Sequence, residues 1–553
     1  MNNVSLGISD FKKLRKMNYL YIDKSLYIKD LLDNTSEVII VTRPRRFGKT
    51  LNMSMINYYF DITEDSIDIF NGLNIMNCES KYTEKINSTP VIYLTFKDVC
   101  NNSFDKDISR LKITMMDLYQ KYYFLLDSGV LYEGEKKIFK DILNTKENEI
   151  DLIDAVKKLC EYLTRYYKIA PYILLDEYDV PLENAYSKGY YDEMIELFKS
   201  FFRATFKDNI NIQKAILTGV SRIAKESIFS GMNNFKVYTI LDDEFADDFG
   251  ITQLEVNKII TKLGIEDKKE ELAKWYNGYV IGKNTHVYNT WSILNYLDEM
   301  KFKPYWLNTS SNDIIEMIAI KSIGIKKQLE LLLSGQSRDV NINEETILKN
   351  IENNEENIWG LLISTGYIKV EKQLERKKYR ISIPNYEIKC FFEDIIQKWF
   401  VDKIAGENLT TILNDMLKGD IKTFEKKFKI LVETMFSYYD VGKNNSENFY
   451  HAFVLGMLVE LKDTYFVISN RESGFGRYDI VVKSKLNKLN IAIIMEFKTY
   501  EEDEKDLEQT LNSAMKQIES KKYETDLIQE GYTNIIKIAF AFKGKIVKIL
   551  SKK

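Results

Sequence analysis

The sequence predicts an α/β protein in three parts: an N-terminal parallel sheet, a mostly helical middle region, and a C-terminal α/β domain. Three observations carry this reading. Up to residue 240, short, β-branched, almost continuously apolar runs alternate with helix-like stretches, as strands buried on both faces of a parallel sheet require. From residue 241 to 401 the pattern becomes helical, with clustered aromatic residues. From residue 435 onward a helix, three strands, a second helix and a further strand follow one another.

The N-terminal strand candidates are Glu37–Thr42, Pro90–Phe96, Pro171–Leu175 and Lys214–Thr218, with helical segments such as Tyr190–Phe206 between them. The middle region carries WYNGY (Trp275–Tyr279), VYNTWSILNYL (Val287–Leu297) and PYWLNTSSN (Pro304–Asn312). Its Asn/Glu-rich stretch Asn341–Asn357 reads as a solvated helix and turn. The polar, basic stretch Lys418–Lys429 leads toward the last domain. There, the amphipathic helix Glu447–Leu461 precedes strands Tyr465–Ser469, Arg477–Lys483 and Asn490–Phe497. A charged helix over Asp503–Lys522 and a strand over Asn534–Phe542 complete it, with KIVKIL as an edge. The expected domains are therefore 1–240, a winged-helix-like region over 241–401, a linker over 402–434, and 435–553.

Composition narrows the function. The 553 residues are 45% hydrophobic and 29% charged, which is globular and excludes global disorder. Lys+Arg numbers 78 and Asp+Glu 82, a net charge of -4, so a polybasic nucleic-acid binder is excluded while a local basic groove is not. The four cysteines are scattered without a CxxC pair, and only two histidines, His286 and His451, are present. A zinc ribbon and a multi-His centre are thereby ruled out. A metal would be held mainly by carboxylates, which favour Mg2+ or Mn2+. No apolar run approaches the roughly 20 residues that span a bilayer, and no apolar leader is seen. The expectation is a cytoplasmic protein with no membrane partner.

The first chemical motif lies in EVIIVT-RPRRFGKT-LNMSMINYYF. Gly48-Lys49-Thr50 falls between a buried strand and a helix, the setting a phosphate-binding loop needs, because loop amides and a helix N-terminus then face the phosphates. Arg46, Phe47 and Gly48 form the loop, Lys49 reaches the β/γ-phosphates, and the Thr50 hydroxyl ligates Mg2+. Position 43, where such a loop ordinarily opens on glycine, is Arg43. In PYILLDEYD, Asp176 and Glu177 end an apolar strand, where ligand sites form in α/β sheets. Asp176 would hold Mg2+ through water and Glu177 would orient the attacking water. A third strand, KAILTGVSR, places Thr218 to sense the γ-phosphate and Arg222 to stabilise its charge. Arg43, Arg45 and Arg46 face phosphate or a neighbouring subunit, or pair with the acidic turn Asp176–Asp179; the residues alone leave both readings open.

These stretches carry a resemblance. YLYIDKSLYIKDLL, TRPRRFGKTLNMSM, ILLDEYDVPLENAY and LTGVSRIAKESIFSGMNN resemble the bacterial AAA-ATPase-like family, as do WYNGY, VYNTWSILNYL and PYWLNTSSN. Its members usually carry glycine at the position of Arg43 and commonly end in a PD-(D/E)XK nuclease-like domain. The resemblance implies a P-loop ATPase, with ATP as cofactor, joined to a domain of the nuclease superfamily.

The C-terminal motif agrees with that implication. Asp479 in GRYDIVV and Glu496 in IAIIMEFKTY are separated by 16 residues, and Lys498 follows two positions on. Glu496 and Lys498 share a strand face because side chains alternate with period two. Asp479 and Glu496 can then bind Mg2+ together, the metal activating water, with Lys498 positioning that water or offsetting phosphate charge. Glu447 on the preceding helix could contribute a further metal contact, and His451 lies one turn beyond it. Gln517 and Tyr523 resemble the helix that PD-(D/E)XK proteins place after the lysine strand. From Met435 onward there are 18 Lys+Arg and 17 Asp+Glu, a balance of +1 that offers no electrostatic funnel for DNA. The acidic run Glu501–Glu508 follows the catalytic strand and reads as a solvated helix start, or as an autoinhibitory acidic lip.

The leading expectation is an ATP-regulated, metal-dependent nuclease acting on DNA, with the homo-oligomeric state open. The alternatives are a nucleotide switch or scaffold whose nuclease fold is catalytically silent, and a plain ATPase acting on protein partners.

Overall fold

A computed structural model describes residues 4–220, 228–229, 232–307, 323–333, 335–343, 351, 354–404, 408–435, 447–458, 461, 464–469, 472–473, 476–485, 490–500 and 504–552. The chain divides into two compact units. One comprises residues 1–322 and 337–388, the other residues 323–336 and 389–553.

The first unit is organised by five strands: β1 (Val38–Thr42), β2 (Val91–Thr95), β3 (Tyr172–Asp176), β4 (Lys214–Gly219) and β5 (Phe235–Tyr238). Their order is β2-β3-β4-β1-β5 and every pairing is parallel. All five residues of β1 and of β3 are buried, which is why those runs are apolar without alternation. Helices cover both faces. Phe60, from helix Lys49–Phe60, packs edge-on against Tyr172. The opposite face carries Ile173, Leu175 and Leu217 in one core with Met115, Leu159, Phe198 and Phe202 from three other helices. The four predicted strands are all present, shifted by a residue at their ends. β5 has no counterpart among the expected strands; its FKVY run is short and only partly buried.

The middle region is helical, as read, and also contains two small antiparallel sheets. One is β6 (Ile251–Thr252), β7 (Tyr279–Ile281) and β8 (Thr285–Tyr288), in the order β6-β8-β7. The other is β9 (Arg338–Asn341), β10 (Lys369–Glu375) and β11 (Lys378–Ser382), in the order β10-β11-β9. Strands this short give too few alternations to stand out from helix in sequence. Tyr276, Tyr288, Ile293 and Tyr296 form a core against which Val4, Leu20 and Ile22 of the N-terminal segment pack.

The second unit is built on β12 (Tyr465–Ser469), β15 (Ile480–Ser484), β16 (Ile491–Thr499), β17 (Asn534–Lys543) and β18 (Ile546–Lys552), hydrogen-bonded in that order. β13 (Glu472–Ser473) and β14 (Gly476–Arg477) form a separate hairpin. β16 and β17 are parallel and the other pairs antiparallel, so the sheet is mixed. The period of two along β16 divides its side chains. Ile493, Met495 and Phe497 enter a core with helices Asn408–Leu417, Ile421–Met435 and Glu447–Leu458. Ala492 and Ile494 face helix Leu507–Lys521 through Leu511, Ala514 and Ile518. The stretch 402–434, expected as a linker, thus contributes Leu413, Phe424 and Phe428 to the core of this unit. Apolar residues on those helices recur at helical spacing between lysines, which masked the buried face behind a basic composition.

Candidate functional site

Parallel register brings the C-terminal ends of β1, β3 and β4 to one edge: Thr42 lies opposite Gly219, and Asp176 opposite Thr218. Gly48, with φ 85°, occupies the left-handed region that a side chain would strain, and opens helix Lys49–Phe60. A cleft of about 460 Å3 lies over this edge. Its walls include Arg46, Phe47, Gly48, Lys49, Thr50 and Glu177, which brings together six of the residues singled out by sequence.

The Lys49 ammonium is buried and donates to the main-chain oxygens of Arg43 and Pro44, each at 2.9 Å. Burial pushes its pKa down, against the pull of Asp179 and Asp176. The lysine is folded onto its own loop, so phosphate oxygens would exchange with two carbonyls rather than with water. Glu177 takes a positive φ of 54°. Burial, and then the Asp176 charge, raise its carboxyl, while Lys49, Arg45 and Lys97 oppose the rise. Phe47 lines the cleft, but its ring packs edge-on against Tyr279. Arg46 lays its guanidinium over the Trp291 ring at 4.5 Å. Thr50 lies on the wall, half-buried.

Asp176 sits behind the wall, almost wholly buried. Its Oδ1 accepts from the Thr218 hydroxyl at 2.5 Å, and its Oδ2 is buried without a partner among the described residues. Thr218 therefore orients Asp176 and is absent from the cleft lining, where the sequence reading had it sensing phosphate. The orphaned Oδ2 is an acceptor that a hydrated Mg2+ would satisfy, so the donor set fits that ion. Arg222 lies outside the described residues.

The three arginines separate. Arg43 is completely buried, and its guanidinium donates to the carbonyls of Thr42, Tyr238, Thr239, Glu244 and Phe245 at 2.8–3.3 Å. Desolvation lowers it to about 10. It is absent from the cleft lining and clamps β1 to the segment after β5. Arg45 approaches Glu183 at 3.4 Å, and its carbonyl accepts from the Trp306 indole at 3.2 Å and the Asn289 amide at 3.3 Å. Glu387, wholly buried, accepts from the Trp306 amide at 2.7 Å and the Ser292 hydroxyl at 2.8 Å. Gly366, with φ 87°, approaches Pro44 so closely that a Cβ there would lie 2.9 Å from the proline ring. The loop's outer turn is thus buttressed by middle-region residues.

Sequence reasoning missed Lys97, Glu183, Asp248, Trp291 and the N-terminal residues Ser5, Gly7, Ile8 and Ser9 of this cleft. Only Lys97 carried a local signal, a cation just past the end of an apolar strand.

In the second unit, Asp479 lies at a bend between β14 and β15, not within a strand as expected. Ile480 pairs with Met495, so Asp479 falls opposite Glu496. The Asp479 carboxylate accepts from the Phe497 amide at 2.8 Å. Burial raises its pKa; the Phe497 amide, His451 and Lys498 oppose that rise. Glu496 is nearly wholly buried and accepts from the Gln517 side-chain amide. Gln517 also donates to the Tyr523 hydroxyl at 3.3 Å, which links the two residues noted in sequence beside Glu496. Lys498 follows on the same face, half-buried. The His451 ring nitrogen Nε2 lies 3.1 Å from the main-chain oxygen of Asp479, and burial lowers its pKa. Glu447 begins helix Glu447–Leu458, but its side chain lies outside the described residues. Among the described residues no group of three or more His, Cys, Asp or Glu could hold a metal ion. The pair Asp479 and Glu496 is a hard, all-oxygen donor set that fits Mg2+ or Mn2+ with water completing the shell. Of the acidic run, residues 501–503 are outside the described residues, and Asp506 caps helix Leu507–Lys521 by accepting from the Gln509 amide.

Comparison with known proteins finds two classes of domain in the chain. Residues 5–229 match the family model described as a predicted AAA-ATPase, and residues 445–552 match that of the PD-(D/E)XK nuclease superfamily. The chain carries an AAA-ATPase-like domain followed by a PD-(D/E)XK nuclease superfamily domain. It is similar to a protein of Azotobacter chroococcum mcd 1 described as an uncharacterized protein in the vnfD 5′ region. The two are 22% identical over 494 residues, covering 86% of each chain. No helix among the described residues is long and apolar enough to cross a membrane.

Proposed function

We propose that the protein binds and hydrolyses ATP and cleaves phosphodiester bonds in DNA in a metal-dependent reaction. The observation that carries the nuclease half is the alignment of Asp479 against Glu496 with Lys498 on the same strand face. When bound, Mg2+ or Mn2+ would supply Lewis-acid stabilisation and an activated water. Asp479 and Glu496 are pre-aimed for that ion by the Phe497 amide and Gln517. Lys498 holds the water or offsets charge at the phosphate.

The ATPase half rests on Lys49, Thr50, Asp176 and Glu177 gathered at one sheet edge. Lys49 moves from loop carbonyls to phosphate oxygens. Glu177, raised by burial, orients the attacking water and takes up its proton. Thr218 keeps Asp176 in one rotamer.

The test is cleavage of single- and double-stranded DNA by the full-length protein in Mg2+ or Mn2+, without nucleotide, with ATP and with a non-hydrolysable analogue. Lys498→Ala runs in parallel. Cleavage lost in that variant establishes the nuclease, and its nucleotide dependence shows whether ATP controls it. A second reading, a nucleotide switch with a silent nuclease fold, is favoured by the balance of +1 after Met435. Absence of cleavage under every condition, with Mn2+ affinity unaffected by Asp479→Ala, selects that reading.

A further inference from the structure

Asp248 lies between β5 and β6, only 5% exposed, and lines the nucleotide cleft. Its surroundings hold it from four directions. The Asn52 side chain donates to its main-chain oxygen at 2.8 Å. Lys24 donates to the carbonyl of Asp247 at 2.6 Å. The Gly250 amide donates to the Phe47 carbonyl at 3.0 Å. Arg43 grips the carbonyls of Thr239, Glu244 and Phe245 earlier in the same segment. The backbone is therefore fixed relative to the phosphate loop, yet the carboxylate Oδ2 is buried with no hydrogen-bond partner among the described residues. A buried acceptor left unmet costs about 1–3 kcal/mol, and on a residue of the cleft wall a small turn of the side chain would present it to a ligand donor.

The chemistry of a nucleotide says which part can answer it. A triphosphate offers only acceptors and negative charge, both of which a carboxylate repels. The nucleoside half offers N–H and O–H donors. The cleft also places apolar Leu20, Ile22 and Ile251 on its walls, a surface suited to a base and not to phosphates. We propose that Asp248 is a specificity residue that accepts a hydrogen bond from the nucleoside half of ATP, from the exocyclic amino group of the base or from a ribose hydroxyl. This rests on the ATP-binding reading above. Without a donor the group is raised to about 8 by burial, helped by Asp30 and Asp247 against Lys24 and Arg43, so it is largely protonated at pH 7; a ligand donor lowers it again, and the side chain takes up its acceptor role as it ionises.

The experiment measures equilibrium binding of ATP, inosine triphosphate, 2′-deoxy-ATP and 3′-deoxy-ATP to full-length protein with Mg2+. It compares wild type, Asp248→Ala and the near-isosteric Asp248→Leu, which fills the same space if the alanine variant does not fold. Wild type is expected to bind at least one analogue about tenfold or more weakly than ATP. A deficit with inosine triphosphate assigns the amino group, and one with a deoxy analogue assigns that hydroxyl. In the Asp248 variants that preference collapses toward one. Because it is a ratio within each variant, an unfolded fraction cancels. Equal binding of all four by wild type, or a preference that survives in both variants, overturns the proposal and leaves the ATPase reading standing. Wild type that binds none of the four overturns both.

Discussion

The nucleotide cleft and the carboxylate–lysine site both gather buried charge, but they satisfy it differently. In the first unit the buried cations Arg43 and Lys49 donate only to main-chain oxygens. In the second unit the buried carboxylates are held by an amide of the same sheet and a side chain of the covering helix. Main-chain carbonyls cannot be titrated or mutated away, so the phosphate loop is held by the fold itself. The carboxylate–lysine site is held by strand register and one glutamine. The first arrangement resists substitution of neighbours and depends on its own cations; the second depends on a few replaceable side chains.

The largest effects should fall on activity, and in one unit at a time. Lys498→Ala is expected to slow DNA cleavage by about 10²–10³-fold, as loss of one electrostatic contact to a reacting phosphate does, while ATP turnover stays at the wild-type rate. Loss of both activities from this one change would break the distinction between the units. Conversely, Lys49→Ala should reduce ATP hydrolysis to background, read as phosphate release, with intact DNA cleavage in the absence of nucleotide.

Next comes stability. Arg43→Ala leaves five carbonyl contacts unmet at the end of β1 and should cost at least about 3 kcal/mol of unfolding free energy, measured by denaturant. Gln517→Ala, which removes the hydrogen bond that Glu496 accepts from the covering helix in the other unit, should cost about 1–2 kcal/mol. Reversal of that ranking would show that main-chain and side-chain satisfaction are energetically alike here.

The smallest effect is a pH slope. Burial pushes the Glu387 carboxyl up to about 7. The folded chain therefore keeps a proton that the unfolded chain releases near about pH 4. Stability from this group is complete below that pH and is lost as pH rises through about 7. Glu387→Gln should flatten the fall of the thermal midpoint between those values; an unchanged slope would assign the fall to other groups.

Much of this was legible in the chain itself. Apolar runs without alternation announced β1 to β4, and GKT between strand and helix announced the cleft. The spacing of Asp479, Glu496 and Lys498 announced the second site. The part that stayed hidden is non-local. Arg43 looked like a flawed phosphate loop because four of its five acceptors lie 195–202 positions away. Asp248 looked like one acid among several in DDEFADDFG, since only the packed segment shows which one is unmet. Thr218 carried a strand-end position that suits either phosphate or Asp176, and only register decides between them.

The placement of β4 between β1 and β3 works as a spacer. Adjacent strands stand about 4.8 Å apart, so two steps set the strand leading to the Lys49 loop and the Asp176 strand about 9.6 Å apart. Lys49 and Asp176 attract one another across that gap, while the carbonyls of Arg43 and Pro44 hold the ammonium on its own loop. The Thr218 rung of the intervening strand keeps Asp176 turned to its own side. The cleft is thus a jaw whose backbone gape is set by hydrogen-bond spacing, on the scale of a phosphate and a hydrated ion.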